Sequence, residues 1–599
     1  MSERGILSRG LWVLGRAIRD EPRIFTVAVL GGSLFGLTTI VTAFVIGAVT
    51  GRVVIPAIER GTVGPAALAG AAVLILGTSL VKVAAIFARR LGAGGMQFRL
   101  QARYRRKVTR KYLELPVEWH QRHATGTLLS NANSDVEAAW YPIAPMPFAV
   151  GTLVMLVASI LSLFAVDWVL ALVGCAIFPA LFGLNVIYSR RMAPRQARAQ
   201  ELRGEVSAIA HESFDGALVV KTMGRESAET RRFAERAADL RDALIRVGRI
   251  RGLFDPMLET LPSLGTLAVL VVGAIRLRQG AVTIPEVVTV AFLFTVLAFP
   301  VRAIGWVLAE LPRSVAGWDR IEKVVTATGE MAYGRSTVDD SGAAALRFEQ
   351  VDFSYPDGEP VLRGVTFDVP AGRTVALVGP TGSGKSTIAS LAARLVDPDH
   401  GTVGLDGVDV RELTGASLAR AVALVPQVAF VFDDTVRGNV TLDRPAIAAE
   451  HAWAALRLAQ ADGFVARLSE GLDTTVGERG TSLSGGQRQR LTLARAVAGR
   501  PRLLVLADAT SAVDPRVEAA ILAGLRRADT SILVVAYRRA TIALADEVVY
   551  VEHGRVVARG THPQLLATVP GYANLVTAYE RAEAEREQAR EYDLDEVTA

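Results

Sequence analysis

The clearest chemistry in the chain lies in one run of consecutive residues: Gly379, Pro380, Thr381, Gly382, Ser383, Gly384, Lys385, Ser386 and Thr387. They follow the β-branched run TVALV and precede the helical run TIASLAARLV. In that strand-to-helix setting the glycines let backbone N–H groups close around phosphates, and the helix N-terminus adds the positive end of its dipole. Lys385 is then placed to reach β and γ phosphates, and the Ser386 hydroxyl to ligate Mg²⁺. No other ligand cluster competes with this reading. The 7 histidines and single cysteine, Cys175, show no metal-ligand spacing.

The elements that must position this loop alternate in type. ALRFEQVDFSY, TVALVG, AVALVP, RLLVLAD, SILVVAY and EVVYVEHGRVVARG are β-branched runs separated by helical patterns, which predicts an α/β domain with a largely parallel sheet over 346–579. The first 320 residues are of another kind. The 599-residue chain is 51% hydrophobic and 21% charged, with mean hydropathy +0.32, values that exclude a disordered chain and argue against a purely cytosolic one. Six apolar runs, near 24–49, 65–87, 142–165, 168–188, 255–277 and 283–306, are long enough to cross about 30 Å of hydrocarbon. The fifth is the weakest, because Asp255, Pro256, Glu259 and Pro262 interrupt its start.

The net charge of +6 and sequence pI near 9.5 arise locally rather than from a nucleic-acid-binding face. Arg89, Arg90, Arg99, Arg103, Arg105, Arg106, Lys107, Arg110, Lys111 and Arg122 crowd the connection after the second run, against Glu114, Glu118, Asp135 and Glu137. That is the positive-inside pattern, and it puts the N-terminus and the long connections in the cytoplasm. Residues 1–22 read as an amphipathic elbow helix on the membrane surface, without a cleavable signal. The expected order is therefore an elbow over 1–22, a transmembrane domain over 23–320, a polar Gly/Ala-rich linker over 321–345, the α/β domain over 346–579 and a charged tail over 580–599. The fold class is a multi-domain membrane protein, an all-α six-helix transmembrane domain joined to an α/β P-loop domain.

Downstream of the phosphate loop stand Leu483, Ser484, Gly485, Gly486 and Gln487, followed by RQRLTLARAVAGRPRLLVL. With this LSGGQ run, the whole chain resembles an ATP-binding cassette (ABC) transporter of exporter type. The resemblance implies ATP as the nucleotide, a multi-pass place in the inner (plasma) membrane and a pair of cassettes sandwiching two ATP molecules. Each ATP would lie between the phosphate loop of one subunit and the signature loop of the other. Further positions match. Tyr355 in FSYP resembles the aromatic that stacks on adenine, and Gln427 in LVPQ the residue that touches Mg²⁺ and faces the membrane domain. Glu478 resembles the loop before the signature, and Asp514 in SAVD the D-loop. LPVEWHQRHATGTLLSNANSDVE (115–137) and ESFDGALVVKTMGRESAETRRF (212–233) resemble the two intracellular coupling segments. Membrane part and cassette fused in this order imply export.

Measured against that family, the chain departs at the catalytic positions. Ala507 stands where the Walker B aspartate holds the metal, Asp508 where a glutamate polarises the attacking water, and Tyr537 where the switch histidine is expected. Alanine supplies no oxygen, leaving Ser386 and Gln427 with phosphate oxygens and water around Mg²⁺. Asp508 is one methylene short, and displacing a catalytic group by about 1 Å costs on the order of a hundredfold in rate. Tyrosine lacks histidine's chemistry at neutral pH. The expectation is a subunit that binds ATP at a degenerate, poorly hydrolysing site and lends its intact signature to a different partner subunit. A slow homodimer and a non-transporting ATP-switched regulator are the alternatives. The apolar helices, poor in fixed charge apart from Lys82 and Arg302, favour an amphipathic or hydrophobic cargo such as a drug or lipid.

Overall fold

A computed structural model describes residues 3–329, 331–339, 341–355, 358–477, 480–579 and 581. The chain forms two compact units, Met1–Tyr112 with Thr125–Ala327, and Leu113–Ala124 with Thr328–Ala599. Residues Leu113–Ala124, which include the start of the first expected coupling segment (115–137), thus group with the α/β unit rather than with the helical one.

The helical unit contains all six predicted apolar runs in helices: Pro22–Val49, Pro65–Glu114, Met146–Val166, Trp168–Cys175 with Ile177–Asp215, Glu226–Arg278 and Ile284–Val325. Five apolar segments reach membrane-spanning length among the described residues; in the sixth the described apolar stretch is Ile284–Val296. The fifth helix runs without a break through Pro256 and Pro262. The elbow helix Glu3–Asp20 buries Val13, Leu14 and Ala17 and leaves Leu7, Leu11 and Trp12 exposed, the two-faced pattern of an interfacial helix. Aromatic and charged contacts dock it: Trp12 and Trp318 meet edge to face at 6.0 Å, and Arg9 pairs with Asp319 at 2.8 Å.

Within the bundle, the first and third spanning helices meet through glycines. A Cβ on Gly151 would fall 2.1 Å from the Gly32 carbonyl oxygen, and one on Gly36 would fall 2.4 Å from that of Gly151. In hydrocarbon, where burial of apolar surface between helices gains little, such close backbone approach supplies the van der Waals contact that joins them.

The α/β unit is built from β1 (Leu346–Ser354), β2 (Pro360–Val369), β3 (Thr374–Val378), β4 (His400–Leu405), β5 (Val408–Asp409), β6 (Val422–Val425), β7 (Leu503–Ala507), β8 (Ser531–Val535), β9 (Glu547–Glu552) and β10 (Arg555–Gly560). One sheet runs β2-β1-β4-β5 and is antiparallel; the other runs β10-β9-β3-β8-β7-β6, parallel except for β10. The parallel strands are apolar on both faces because both are covered, as the fully buried β3 and β8 illustrate. The run ALRFEQVDFSY therefore belongs to the antiparallel sheet, whose other strands the β-branched pattern did not reveal.

The stretch read as a linker divides. Its first residues finish the helix Ile284–Val325, and the rest is strapped to the α/β unit: Gly334 N donates to Leu413 O at 3.0 Å, and the Arg502 guanidinium donates to Asp339 O and Gly342 O, both at 2.7 Å. The charged tail over 580–599 lies, apart from Arg581, outside the described residues.

The glycine seam gives a direct test. Gly151→Val should destabilise the purified protein by about 1–3 kcal/mol in detergent unfolding, because the new side chain has only backbone to displace. Gly77→Val, with nothing within 4 Å, should leave the unfolding midpoint in place.

Candidate nucleotide-binding site

The parallel sheet delivers the site at the carboxyl ends of its central strands, where α/β folds place their ligands. β3 ends at Val378 and turns into the phosphate loop, while the level ends of β7 and β8, with Ala507 opposite Val535, release Asp508 and Tyr537 side by side. Between them lies a cavity of about 820 Å³ whose lining includes Thr381, Gly382, Gly384, Lys385, Ser386, Thr387, Gln427, Asp508 and Tyr537. The sequence-predicted phosphate and catalytic residues are thus brought together. Ala507 ends β7 and packs against the core below.

The loop conformation needs its glycines. Gly382 and Gly384 have φ of +82° and +97°, and a Cβ on Gly379 would strike the Val551 carbonyl at 2.0 Å. Lys385 is 3% exposed, and its ammonium donates to Gly379 O at 2.7 Å, Pro380 O at 2.8 Å and Ser383 Oγ at 3.3 Å. Burial pushes its pKa down to about 8, opposed by the Asp508 carboxylate. Nζ also lies 5.1 Å from the Tyr537 ring centroid. A buried cation seated on the carbonyls of a glycine loop fits an incoming phosphate, which would replace those carbonyls as its partner.

Asp508 adopts φ +54°, a left-handed conformation that is strained for a side chain other than glycine. Gln427 Nε2 donates to its Oδ2 at 3.0 Å, and burial pushes the Asp508 carboxyl above the usual aspartate range. Tyr355 stands next to the cavity: its hydroxyl lies 3.4 Å from Thr387 Oγ1, and its ring meets Phe353 edge to face at 5.0 Å. Glu478 lies outside the described residues.

The signature residues occupy a different cavity, of about 390 Å³, lined by Ser484, Gly485, Gly486, Arg490, Ala512, Val513, Asp514 and Val517. Ser484 caps the helix Gly485–Ala498, accepting from Gln487 N, and the Gln487 side chain closes the capping box. Leu483 is buried beneath. Gln489 binds the D-loop at Ser511 Oγ (3.0 Å) and Ala512 N (2.8 Å). Among the described residues, signature and phosphate loop line separate cavities.

Against this geometry the comparisons are decisive. Residues 25–301 match the family ABC transporter transmembrane region, and residues 362–511 match the family ABC transporter. The ATP-dependent lipid A-core flippase of Salmonella typhimurium is 35% identical over 479 residues, 79% of this chain and 82% of its own.

The chain belongs to the ABC transporter family.

A bacterial Atm1-family ABC exporter, solved with ATP bound, superposes with a TM-score of 0.74 at 26% identity, covering 93% of this chain and 98% of that one. A multidrug efflux ATP-binding/permease protein of Mycobacterium tuberculosis is 33% identical over 513 residues, which are 85% of this chain but 43% of the relative. The chain thus spans less than half the length of that relative. As a member of this ATPase family it is a multi-pass membrane protein with a helical transmembrane domain and a nucleotide-binding cassette.

Three site residues escaped the sequence reading. Arg538 donates to Ser511 O at 2.8 Å and Val513 O at 3.0 Å and pairs with the buried Glu518, which also accepts from Thr510 and Thr541. This pair fixes the D-loop. The signal was legible, since a charged Arg three residues past a buried strand needs a partner. Tyr579, from the helix over 570–579, also lines the main cavity, and nothing in the sequence pointed there. In the membrane part, Lys82 is half-buried with its ammonium 5.5 Å from the Phe35 ring centroid, and the side chains of Arg302 and Cys175 lie outside the described residues.

Two predictions follow from this electrostatics. Phosphate binding favours the Lys385 ammonium, already formed below about pH 8; above it, binding must draw in a proton. ATP affinity should fall by about tenfold per pH unit above that point, and Lys385→Arg should flatten the profile in a binding titration. Arg538→Ala strands Glu518 without its ion-pair partner and should cost about 3–5 kcal/mol in thermal unfolding, part of it regained by adding Glu518→Leu.

Proposed function

We propose that this chain is one subunit of an ATP-driven exporter that moves an amphipathic or hydrophobic substrate out of the cytoplasm, and that its own ATP site hydrolyses poorly. The observation that carries the second part is a triple departure around one cavity: Asp508, strained and tied to Gln427, and Tyr537, against Lys385, line it, and Ala507, without a metal-shell oxygen, ends the strand that leads into it. Ser386 and Gln427 would hold Mg²⁺ there, whose chemistry is to neutralise charge on the phosphates. Phosphoryl transfer depends on positioned charge almost entirely, so losing the metal and γ-phosphate contacts removes most of what a catalyst supplies. The phosphate loop and Tyr355 retain the means of binding.

The intact signature then serves another reaction centre. Ser484 and the N–H groups of Gly485 and Gly486, at a helix start, form a second anion cradle that would face a nucleotide held by the partner's phosphate loop. Two observations support pairing. Phe214, Leu218, Val219 and Met223, at the tip of the second coupling segment around the helix Ala217–Thr222, are all exposed on this chain. The mycobacterial relative, of which this chain matches 43%, is long enough to hold two such halves in one polypeptide. The partner would be a second half-transporter with intact Walker B and switch residues. The membrane would be the inner one, with the cassette cytoplasmic. The names of the flippase and multidrug relatives support a lipid or hydrophobic drug as cargo.

The test is the ATPase rate of the purified full chain alone and co-purified with the product of its neighbouring gene. The pair should hydrolyse ATP with strong dependence on Ser484 and little on Asp508, so that Ser484→Ala abolishes turnover and Asp508→Ala changes it less than about threefold, against the roughly hundredfold expected of a working carboxylate. Brisk hydrolysis by the chain alone would identify a homodimer instead.

A further inference from the structure

The Gly379 carbonyl, buried at the start of the phosphate loop, carries two hydrogen-bond donors among the described residues. One is the Lys385 ammonium at 2.7 Å; the other is the Tyr579 hydroxyl at 3.0 Å, reaching in from the helix over 570–579. The same two donors flank the Tyr537 ring, Lys385 at 5.1 Å from its centroid and Tyr579 edge to face at 5.9 Å. Tyr579 is anchored from behind, packed against the core that contains the buried Tyr572 of the same helix. A phenol held this way has a fixed direction.

The consequence concerns the moment Lys385 turns to phosphate. Its ammonium must release the Gly379 carbonyl, and a buried carbonyl left with no donor carries its full desolvation penalty. Resting on the family reading that Lys385 takes the nucleotide phosphates, we propose that Tyr579 is a positioning residue of the nucleotide site, which keeps the Gly379 carbonyl satisfied while Lys385 leaves it and so ties ATP affinity to the C-terminal helix. It acts through Gly379, the acceptor of its hydroxyl. Burial holds the phenol pKa at about 12, so the hydroxyl stays a donor across physiological pH.

This logic makes the effect of Tyr579 conditional on Lys385. With Tyr579→Phe, the empty site keeps one donor on the carbonyl and the occupied site has none, so ATP binding weakens. With Lys385→Ala, nothing is released on binding, and Tyr579→Phe no longer discriminates the empty site from the occupied one. The experiment is a double-mutant cycle on the full chain in nanodiscs, reading displacement of trinitrophenyl-ATP by ATP. Tyr579→Phe should weaken ATP about tenfold in the wild-type background and less than about twofold in Lys385→Ala. Tyr579→His, which restores a ring donor, should recover part of the loss. No loss in Tyr579→Phe, or the same loss in both backgrounds, overturns the proposal, the second outcome meaning that Tyr579 serves only to hold the helix. If Lys385→Ala itself leaves ATP binding unchanged, the phosphate-loop reading fails instead. Unfolding midpoints of the nucleotide-free variants separate either result from misfolding.

Discussion

A lysine ammonium buried to 3% exposure, with three oxygens of its own loop as partners, sets the terms for the whole cassette. Removing a cation from water is costly unless oxygens replace the hydration shell. Those oxygens come from backbone and a neighbouring hydroxyl, so the loop has to curl around Lys385. The curl requires Gly382 and Gly384 at positive φ and leaves no room for a side chain at Gly379. The loop in turn hangs from β3, buried at the centre of the sheet between β8 and β9. Phosphate is the natural competitor for the ammonium, because an anion offers stronger hydrogen bonds than the carbonyls it displaces.

Around that lysine, aromatic and polar neighbours close the site. Tyr537 and Tyr579 stand beside Lys385 and Gly379, and Gln427 donates to the Asp508 carboxylate that lines the same cavity. Meanwhile the D-loop is pinned by Arg538 and Glu518, and the signature helix is capped and tied to it through Gln489. These fixed pieces line a second cavity with no phosphate loop of its own. Two half-sites that line separate cavities within one chain are the basis of the pairing proposed above.

The membrane part rests on different forces. Apolar burial gains little between helices in hydrocarbon, so the first and third spans join through glycines that bring backbones into contact. At the membrane surface, aromatic and charged side chains take over and dock the elbow helix through Trp12, Trp318 and Arg9. The segment Leu113–Ala124 leaves the helical unit and groups with the cassette, and the strap after Val325 is hydrogen-bonded to it at Leu413 and Arg502.

What the sequence determined by itself is whatever depends on local pattern: the six apolar runs, the parallel strands, the glycine loop with its lysine, the signature at a helix start, and the missing oxygen at Ala507. Hydrophobic length, β-branching and residue type are properties of short windows, so they are legible without a fold. The antiparallel strands β2, β4 and β5 were not, because exposed and half-exposed residues interrupt their buried ones. The strapping of the linker, the Arg538–Glu518 pair and the reach of Tyr579 across 200 residues to Gly379 were decided only by tertiary structure. A buried hydrogen bond is satisfied by whichever group the fold brings to it, and sequence distance carries no information about which one that will be.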